Sequence, residues 1–314
     1  GIWRGLVRVY QYTNNTWSQL GQDISGESSG TTFNVEIGNC LSMNGDGTIL
    51  AIGSDSDDVR VVQYSNNTWS PIGQDITMDD DPKSISLNNN GTILAIGTPF
   101  SDDYGTNSGH VEVYQYSSNT WSQIGGDLQG SVDYEYFGWS VSLNNDGSII
   151  AIGGIYNIGN GVVRIYQYSN RTWSQLGTDL TGSHLDERFG HAVALNNDGT
   201  ILAVSAPKND TDGTTKGHVR IYQYSDNAWS QLGNTIVGEA ITEELGSSLD
   251  INGDGTVVIL GSPGNSDNGL RAGAARIYKY SNGSWIKSGL DIDGENVEDR
   301  CGWKVSINNN GDTF

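Results

Sequence analysis

The feature that most constrains this fold is a short segment around a tryptophan that recurs along the whole chain of 314 residues. The tryptophans are Trp17, Trp69, Trp121, Trp173, Trp229 and Trp285. Their spacings are 52, 52, 52, 56 and 56 residues. Self-similarity at a nearly fixed period of this length is the signature of a repeat architecture, so the chain is predicted to be built from copies of one unit.

Each unit contains four segments with the length and pattern of β-strands, as the copy at 137–180 illustrates. The first two, 137–143 and 148–153, are joined by Asn-Asn-Asp-Gly, the composition of a tight hairpin turn. The third, 162–168, alternates with a period of two, and the fourth, 172–180, carries the tryptophan. The second is apolar on both faces and should be covered on both sides. We therefore predict an all-β fold, a β-propeller of four-stranded antiparallel blades.

The number of blades follows from the number of units. Five units are complete, whereas residues 6–24 supply only a third and a fourth strand, and residues 301–311 only a first strand and its turn. Joined, these N-terminal and C-terminal half-blades make a sixth blade and close the ring, which removes exposed sheet edges. We predict a single propeller domain over residues 1–314 with six blades, or seven if a unit is missing. The chain is expected to be a segment of a longer protein.

The charge of the chain argues against two classes of partner. With 37 acidic and 16 basic residues, its net charge is −21. Nucleic acids and anionic membrane surfaces both reward clustered basic residues. No apolar run approaches the roughly 20 residues that cross a bilayer, so we expect no membrane insertion by this segment. The two cysteines, Cys40 and Cys301, occupy different positions in their strands. Two free thiols are expected, and a disulfide across the ring seam is the alternative.

An arginine recurs in the third strand of the units, beside tyrosine residues. Its stem is predicted to pack on aromatic faces between blades. In one unit Glu112 takes its place, so a positive charge is not needed in every blade. The arginines are Arg8, Arg60, Arg164, Arg220 and Arg276.

Two further features of the units resemble FG-GAP repeats. An apolar residue followed by glycine opens the first strand, and a short segment ending in proline follows the hairpin. The first feature is found at Phe137-Gly138, Phe189-Gly190, Leu245-Gly246 and Cys301-Gly302, and the second at 96–99, 204–207 and 260–263. The resemblance covers essentially the whole chain. It implies a propeller like that of the integrin α-subunit and of microbial and algal surface proteins.

The same resemblance implies that Ca²⁺ can bind in the hairpin between the first two strands of a blade. Asp250, Asn252 and Asp254 match the first three ligand places, whereas Val258 occupies the last. Hard cations require six or more oxygen ligands, several of them carboxylates. The Asp250 loop is therefore the candidate Ca²⁺ site, and a plain Asn/Asp-Gly turn is the alternative.

No catalytic motif is present, and the four histidines, His110, His184, His191 and His218, are scattered along the sequence. Two carboxylates converging on the axis would make a glycosidase or lyase, but no pair of acids stands out. We predict a non-catalytic extracellular propeller that acts in adhesion, in recognition or as a structural module of a surface assembly. A carbohydrate-binding protein or carbohydrate-active enzyme that uses the axial funnel is the alternative.

The two faces of the propeller are predicted to differ. Sequons for N-glycosylation occur at Asn14, Asn66, Asn90, Asn170, Asn209 and Asn282, and four of them share the turn between third and fourth strands. The longer loops lie on the opposite face, where rigid scaffolds carry recognition. They bring together Asp102, Asp103, Tyr104, Asp133, Tyr134, Glu135 and Tyr136. This mixture of aromatic area and acceptor groups suits a basic protein or a glycan, or copies of the chain itself. In the alternative, the carboxylates only solubilise the rim.

Overall fold

The computed structural model describes residues 5–26, 37–55, 58–156, 159–208 and 215–314. All regular structure in these ranges is β-strand. Five complete units form five antiparallel sheets, arranged as the blades of a propeller, so the predicted all-β propeller fold is confirmed. The described chain contains no apolar helix of bilayer-spanning length.

The five sheets are numbered as blades in chain order. Blade 1 consists of Ile37–Met43, Ile49–Ser54, Asp58–Ser65, Thr68–Pro71 and Ile76–Thr77. Blade 2 consists of Ser84–Leu87, Ile93–Thr98, His110–Ser117, Thr120–Gln123 and Leu128–Gln129, and blade 3 of Phe137–Leu143, Ile149–Gly154, Val162–Ser169, Thr172–Gln175 and Leu180–Thr181. Blade 4 consists of Val193–Leu195, Ile201–Ala206, His218–Ser225, Ala228–Gln231 and Ile236–Val237, and blade 5 of Ser248–Ile251, Val257–Ser262, Ala274–Ser281, Ser284–Lys287 and Ile292–Asp293. The N-terminal half-unit adds Leu6–Val7, Tyr10–Thr13, Thr16–Gln19 and Ile24–Ser25.

The predicted fourth strand is in fact two short strands that both pair with the third. In blade 3, Thr172–Gln175 and Leu180–Thr181 pair with opposite ends of Val162–Ser169. Gly177 lies between the two pieces with a φ of 81°. A Cβ at this position would lie 2.8 Å from Cδ1 of Trp229 in the next blade. The strand breaks here because only glycine allows the backbone to turn against that indole ring.

The recurring tryptophan fastens each blade to the unit before it. Its indole Nε1 donates a hydrogen bond to a backbone carbonyl of the preceding unit, over 2.8 to 3.2 Å. The pairs are Trp69 with Leu20, Trp121 with Ile72, Trp173 with Ile124, Trp229 with Leu176 and Trp285 with Leu232. Trp17 differs, because 68% of its surface is exposed.

The hydrophobic core lies between blades. One cluster combines Ile49 and Ala51 of blade 1 with Leu94, Ile96 and Trp121 of blade 2. The second strands are buried on both faces, as predicted, since every residue of each is buried. Each blade is therefore stabilised mainly by its two neighbours.

A chain of backbone hydrogen bonds links the turns between first and second strands. The N–H group of Gly45 donates to the carbonyl of Asn89 over 2.9 Å, and the same contact continues around the molecule. The further donor–acceptor pairs are Asn89–Asn145, Asn145–Asn197, Asn197–Gly253 and Gly253–Asn309. This series of hydrogen bonds fixes the register of neighbouring blades, and it extends to Asn309 in the C-terminal segment.

The two half-units lie at opposite flanks of the five blades. Val7 and Ile24 pack on Leu50 of blade 1, and Cys301 forms an isolated bridge with Gly273 of blade 5. No strand pairing joins the two half-units within the described ranges, so closure through a shared blade stays a prediction. The thiols of Cys40 and Cys301 are half-buried and free in this structure.

Candidate binding surface

The loops that enter the first strands of blades 3, 4 and 5 share a buried glutamate. Glu135 has no exposed surface, and its carboxylate accepts a hydrogen bond of 2.8 Å from Ser131 N. It also pairs with the guanidinium of Arg164. Tyr134 and Tyr136 on either side have φ values of 59° and 53°. Glu135 was predicted to contact a partner, but it is enclosed in the loop and does not belong to the exposed surface.

The same arrangement in other blades shows that this loop is part of the scaffold. Glu187 and Glu243 are also fully buried. The residues flanking them have the same left-handed conformation, with φ values between 55° and 63°. Backbone strain around Glu135 is therefore a property of the repeat and gives no indication of a functional site. The sequence carried this signal as a glutamate two residues before the Phe-Gly or Leu-Gly pair.

The recurring arginines hold the buried carboxylates in place. The Arg164 guanidinium lies 5.0 Å from the Phe137 ring centroid, whereas packing of the arginine stem on aromatic faces was predicted. The ion pairs of these arginines were not predicted. Arg164 Nε, for example, also lies 3.1 Å from Asp179 Oδ2. Arg276 is fully buried between Glu243 at 2.6 Å and Asp291 at 2.8 Å. Burial alone would lower the pKa of Arg276, but these carboxylates outweigh it and raise the pKa.

Five aromatic side chains lie together on the loop face of blades 2 and 3, and we call them the aromatic cluster. Its members are Phe100, Tyr134, Tyr136, Trp139 and Tyr156. The Phe100 ring lies 5.8 Å from Tyr136 and 6.1 Å from Trp139, and Tyr136 lies 6.5 Å from Tyr134 and 6.2 Å from Tyr156. Phe100 is 44% exposed and Tyr134 51%. The cluster is a contiguous aromatic surface that combines two predicted residues with three that were missed.

The aromatic cluster continues through a position shared by blades 2, 3 and 4. Lys83, Trp139 and His191 each stand five residues before the first asparagine of the following turn, at Asn88, Asn144 and Asn196. Lys83 Nζ lies 5.3 Å from the Trp139 ring centroid, and the His191 ring lies 6.0 Å from it. Burial, followed by the charges of Lys304 and Arg188, lowers the pKa of His191 to about 4. The surroundings of Trp139 are thus aromatic and carry the positive charge of Lys83, in contrast to the acidic molecule.

Tyr104 is separate from the aromatic cluster. Its hydroxyl donates to Asp127, and its ring lies 5.9 Å from that of His110. The hydrogen bond to Asp127, followed by burial, raises the pKa of Tyr104 to about 12. His110 Nδ1 lies 3.9 Å from Asp103 Oδ2, and His110 Nε2 lies 3.4 Å from Glu112 Oε1. We call these five residues the blade 2 acidic pocket.

Of the two remaining predicted acids, Asp133 links the loops of blades 2 and 3, whereas Asp102 stabilises its own loop. Asp133 accepts a hydrogen bond of 3.0 Å from Thr106 N, and Asp102 accepts one of 2.7 Å from Asn107 N. The backbone N–H of Tyr134 also donates to the Thr106 carbonyl over 2.7 Å. These bonds hold the aromatic cluster and the blade 2 acidic pocket on one rigid surface.

The candidate Ca²⁺ ligands are engaged in different contacts. Asp250 Oδ2 accepts hydrogen bonds of 2.9 Å from Ser306 Oγ and Ile307 N. Asp254 instead accepts from Asn252 Nδ2 over 2.8 Å and from Thr256. Asp250 thus binds the neighbouring unit, while Asn252 and Asp254 stabilise their own turn. These contacts are those of a plain turn and a blade junction, which is the alternative to a Ca²⁺ site at this loop.

The described sequons lie on the face opposite the aromatic cluster. Asn14, Asn66, Asn170 and Asn282 are exposed, with φ values of 50° to 52°, in the tight turns between third and fourth strands. Asn90, in a turn between first and second strands, is exposed on the same face. Asn209 lies outside the described residues. Glycans at these sites would leave the loop face open, and the modification itself stays a prediction.

Comparison with known proteins supports the fold and leaves the function open. No protein-family model matches the chain, and no curated protein sequence matches it either. A chain of a mitotic checkpoint complex superposes with a TM-score of 0.65 at 15% identity, covering 98% of this chain and 79% of that one. A functionally unknown protein of Desulfotomaculum acetoxidans DSM 771 gives 0.62 at 11% identity, with 91% and 78% covered. Hydrazine synthase of Kuenenia stuttgartiensis gives 0.56 at 15% identity, with 84% and 70% covered.

Proposed function

We propose that this chain is a non-catalytic recognition propeller of the FG-GAP type that works outside the cell, and that its aromatic cluster binds a protein partner. The observation that carries the proposal is the contiguity of five aromatic rings on one loop face. Large aromatic side chains dominate the binding energy of protein interfaces. A rigid sheet scaffold beneath the loops keeps the cost of ordering them low on binding.

The distribution of features over the two faces supports this proposal. The described sequons lie on the face of the short turns, so glycans would leave the aromatic cluster accessible. Among the described first strands, Asp250 is the only acidic residue, and its carboxylate is used at a blade junction. One structural neighbour is named as part of a multiprotein complex. A binding module agrees with these features better than an axial glycosidase does.

The experiment is a comparison of captured proteins. The wild-type chain is immobilised and exposed to the extracellular proteins of its source cells, beside a variant with Phe100→Ser, Tyr134→Ser and Tyr136→Ser. The matched control carries Leu185→Ser and Leu270→Ser, which remove exposed apolar side chains elsewhere. We expect the aromatic variant to lose a partner that wild type and control both retain, at an unchanged Tm. Equal capture by all three chains would refute the proposal.

A second candidate function is carbohydrate binding at the mouth of the axial funnel. The observation that favours it is Trp139, whose ring lies between Lys83 and His191. Sugars stack on tryptophan, and a lysine beside it would favour an anionic sugar. Binding of a polyuronate to the wild type and its loss in Trp139→Ala would establish this function. Failure of the wild type to bind polyuronates and sulfated glycans would exclude it.

A further inference from the structure

Blade 2 departs from the other blades at the position of the recurring arginine. Arg60, Arg164 and Arg276 each pair with an aspartate that follows fifteen residues later. In blade 2 that aspartate is present as Asp127, but Glu112 stands in place of the arginine. A cation has been replaced by an anion beside a carboxylate that is retained.

The retained carboxylate has the same geometry in both kinds of blade. In blade 3, Asp179 Oδ1 accepts from Gln175 Nε2 over 2.7 Å, and Oδ2 lies 3.1 Å from Arg164 Nε. In blade 2, Asp127 Oδ1 accepts from a glutamine in the same way, over 2.6 Å. Its Oδ2 accepts from the Tyr104 hydroxyl. The acceptor that faces a guanidinium in blade 3 is thus held by an exposed tyrosine in blade 2.

The charges around this position are not balanced within the blade. Asp103, Glu112 and Asp127 approach His110, the only group of the blade 2 acidic pocket that can become positive. His110 is 2% exposed, and its Nδ1 is buried without a hydrogen-bond partner. The pocket is open to solvent, since the Asp103 side chain is 49% exposed and Tyr104 43%.

We infer that the blade 2 acidic pocket binds the guanidinium group of an arginine supplied by a protein partner, at the position that an internal arginine occupies in blades 1, 3 and 5. The inference rests on the proposed recognition function and names the chemistry of the partner. The repeats themselves show that this position accepts a guanidinium flanked by carboxylates. A planar guanidinium matches paired carboxylates and stacks on tyrosine, which an ammonium does less well. The carboxylates do not form a group able to hold a metal ion among the described residues.

Short peptides test this inference without knowledge of the partner. Acetylated and amidated tri-arginine, tri-lysine and tri-citrulline are titrated into the chain by calorimetry at physiological salt. We expect tri-arginine to bind at least about tenfold more tightly than tri-lysine, and tri-citrulline not to bind. Equal affinity for tri-arginine and tri-lysine would overturn the inference, because it would indicate unspecific attraction to an acidic surface.

Two variants place the binding in blade 2. Glu112→Arg restores the internal guanidinium and should weaken tri-arginine binding at least about tenfold. Glu295→Arg makes the same change of net charge at an exposed residue of another unit and should alter affinity less than about twofold. Glu112→Gln, which keeps the side-chain length, should weaken binding at least about threefold even if Glu112→Arg folds poorly. Unchanged binding in Glu112→Gln would place the arginine elsewhere and overturn the inference.

The aromatic variant separates this inference from the proposed function. Phe100→Ser, Tyr134→Ser and Tyr136→Ser remove the aromatic cluster but leave the blade 2 acidic pocket, so tri-arginine should bind this variant as it binds wild type. If peptide binding is absent while partner capture still depends on the aromatic cluster, only the arginine inference fails. If partner capture is indifferent to the cluster while the peptide binds blade 2, the proposed surface fails and the pocket stands.

Discussion

His110 and His218 occupy the same position in blades 2 and 4, and both are almost fully buried, with 2% and 3% of their surface exposed. Their pKa values nevertheless move in opposite directions. Burial lowers the pKa of His218 to about 3, and Arg220 adds to the effect. Burial also opposes protonation of His110, but Glu112 and then Asp127 outweigh it and raise its pKa. The residue two positions along the third strand therefore counteracts burial in blade 2 and adds to its effect in blade 4.

This pair predicts opposite contributions to stability as the pH changes. The folded pKa of His110 lies above 6.5, so its contribution is present below pH 6.5 and is lost as the pH rises through the folded pKa. The folded pKa of His218 lies below 6.5, so its contribution is present above pH 6.5 and is lost as the pH falls toward about 3. An NMR titration of the imidazole C–H signals measures both pKa values.

Variants of the neighbouring residues provide the control for this titration. Glu112→Gln should lower the pKa of His110 and leave His218 unchanged, whereas Arg220→Gln should raise the pKa of His218 alone. A pKa of His110 that does not respond to Glu112→Gln would show that burial, rather than the carboxylate, dominates its environment.

The recurring tryptophans predict a second contrast, between two copies of the same residue. Trp121 is 2% exposed and donates to Ile72 O, whereas Trp17 is 68% exposed. Trp121→Ala should reduce the free energy of unfolding by about 3–5 kcal/mol, the usual cost of removing a buried aromatic side chain. Trp17→Ala should cost less than about 1 kcal/mol, as at most exposed positions. Denaturant titration measures both, and a large effect at Trp17 would indicate that its indole ring is buried in solution by a closing unit.

The fold could be predicted from the sequence because its determinants are local and repeated. The spacing of the tryptophans predicted the repeat units. The alternation of apolar and polar residues, together with the Asn/Asp-Gly turns, predicted the strands. The break at Gly177 could not be predicted, because it depends on the approach of Trp229 from the next blade. Likewise, the pairing of Glu135 with Arg164 joins residues whose loop conformation no local pattern shows.

The candidate surface was predicted only in part. Tyr134 and Tyr136 were predicted from a loop rich in tyrosine and acid. Phe100 and Trp139 were missed because each stands in a segment with an evident structural role, beside Pro99 and within a first strand. Their contact arises only when the blades are side by side. Side-chain clusters that span two repeats are therefore harder to predict than the repeats themselves.

The contacts of Asp250 predict how the protein responds to Ca²⁺. Its carboxylate is used by Ser306 and Ile307 of the next unit, and burial raises its pKa. Extracellular Ca²⁺-binding modules have dissociation constants of up to about 1 mM. We expect the Tm in about 1 mM Ca²⁺ to equal the Tm measured in the presence of a chelator. A rise in Tm with Ca²⁺ that disappears in Asp254→Ala would restore this loop as a metal site.

Alanine substitutions at two adjacent glycines, Gly125 and Gly126, should show how much the break in the fourth strand contributes to stability. Gly125 has a φ of 72°, and a Cβ there would lie 2.5 Å from Cδ1 of Trp173 in the next blade. At Gly126 a Cβ would meet no atom within 4 Å. Gly125→Ala should therefore destabilise the protein by about 1–3 kcal/mol, since it combines a left-handed backbone with a clash against a buried indole ring. Gly126→Ala should be neutral or stabilise slightly, by less than about 1 kcal/mol, because alanine restricts the unfolded chain. Denaturant titration compares the two variants, and equal stability would contradict the prediction, because it would show that neither the left-handed backbone nor the contact with Trp173 is costly at Gly125.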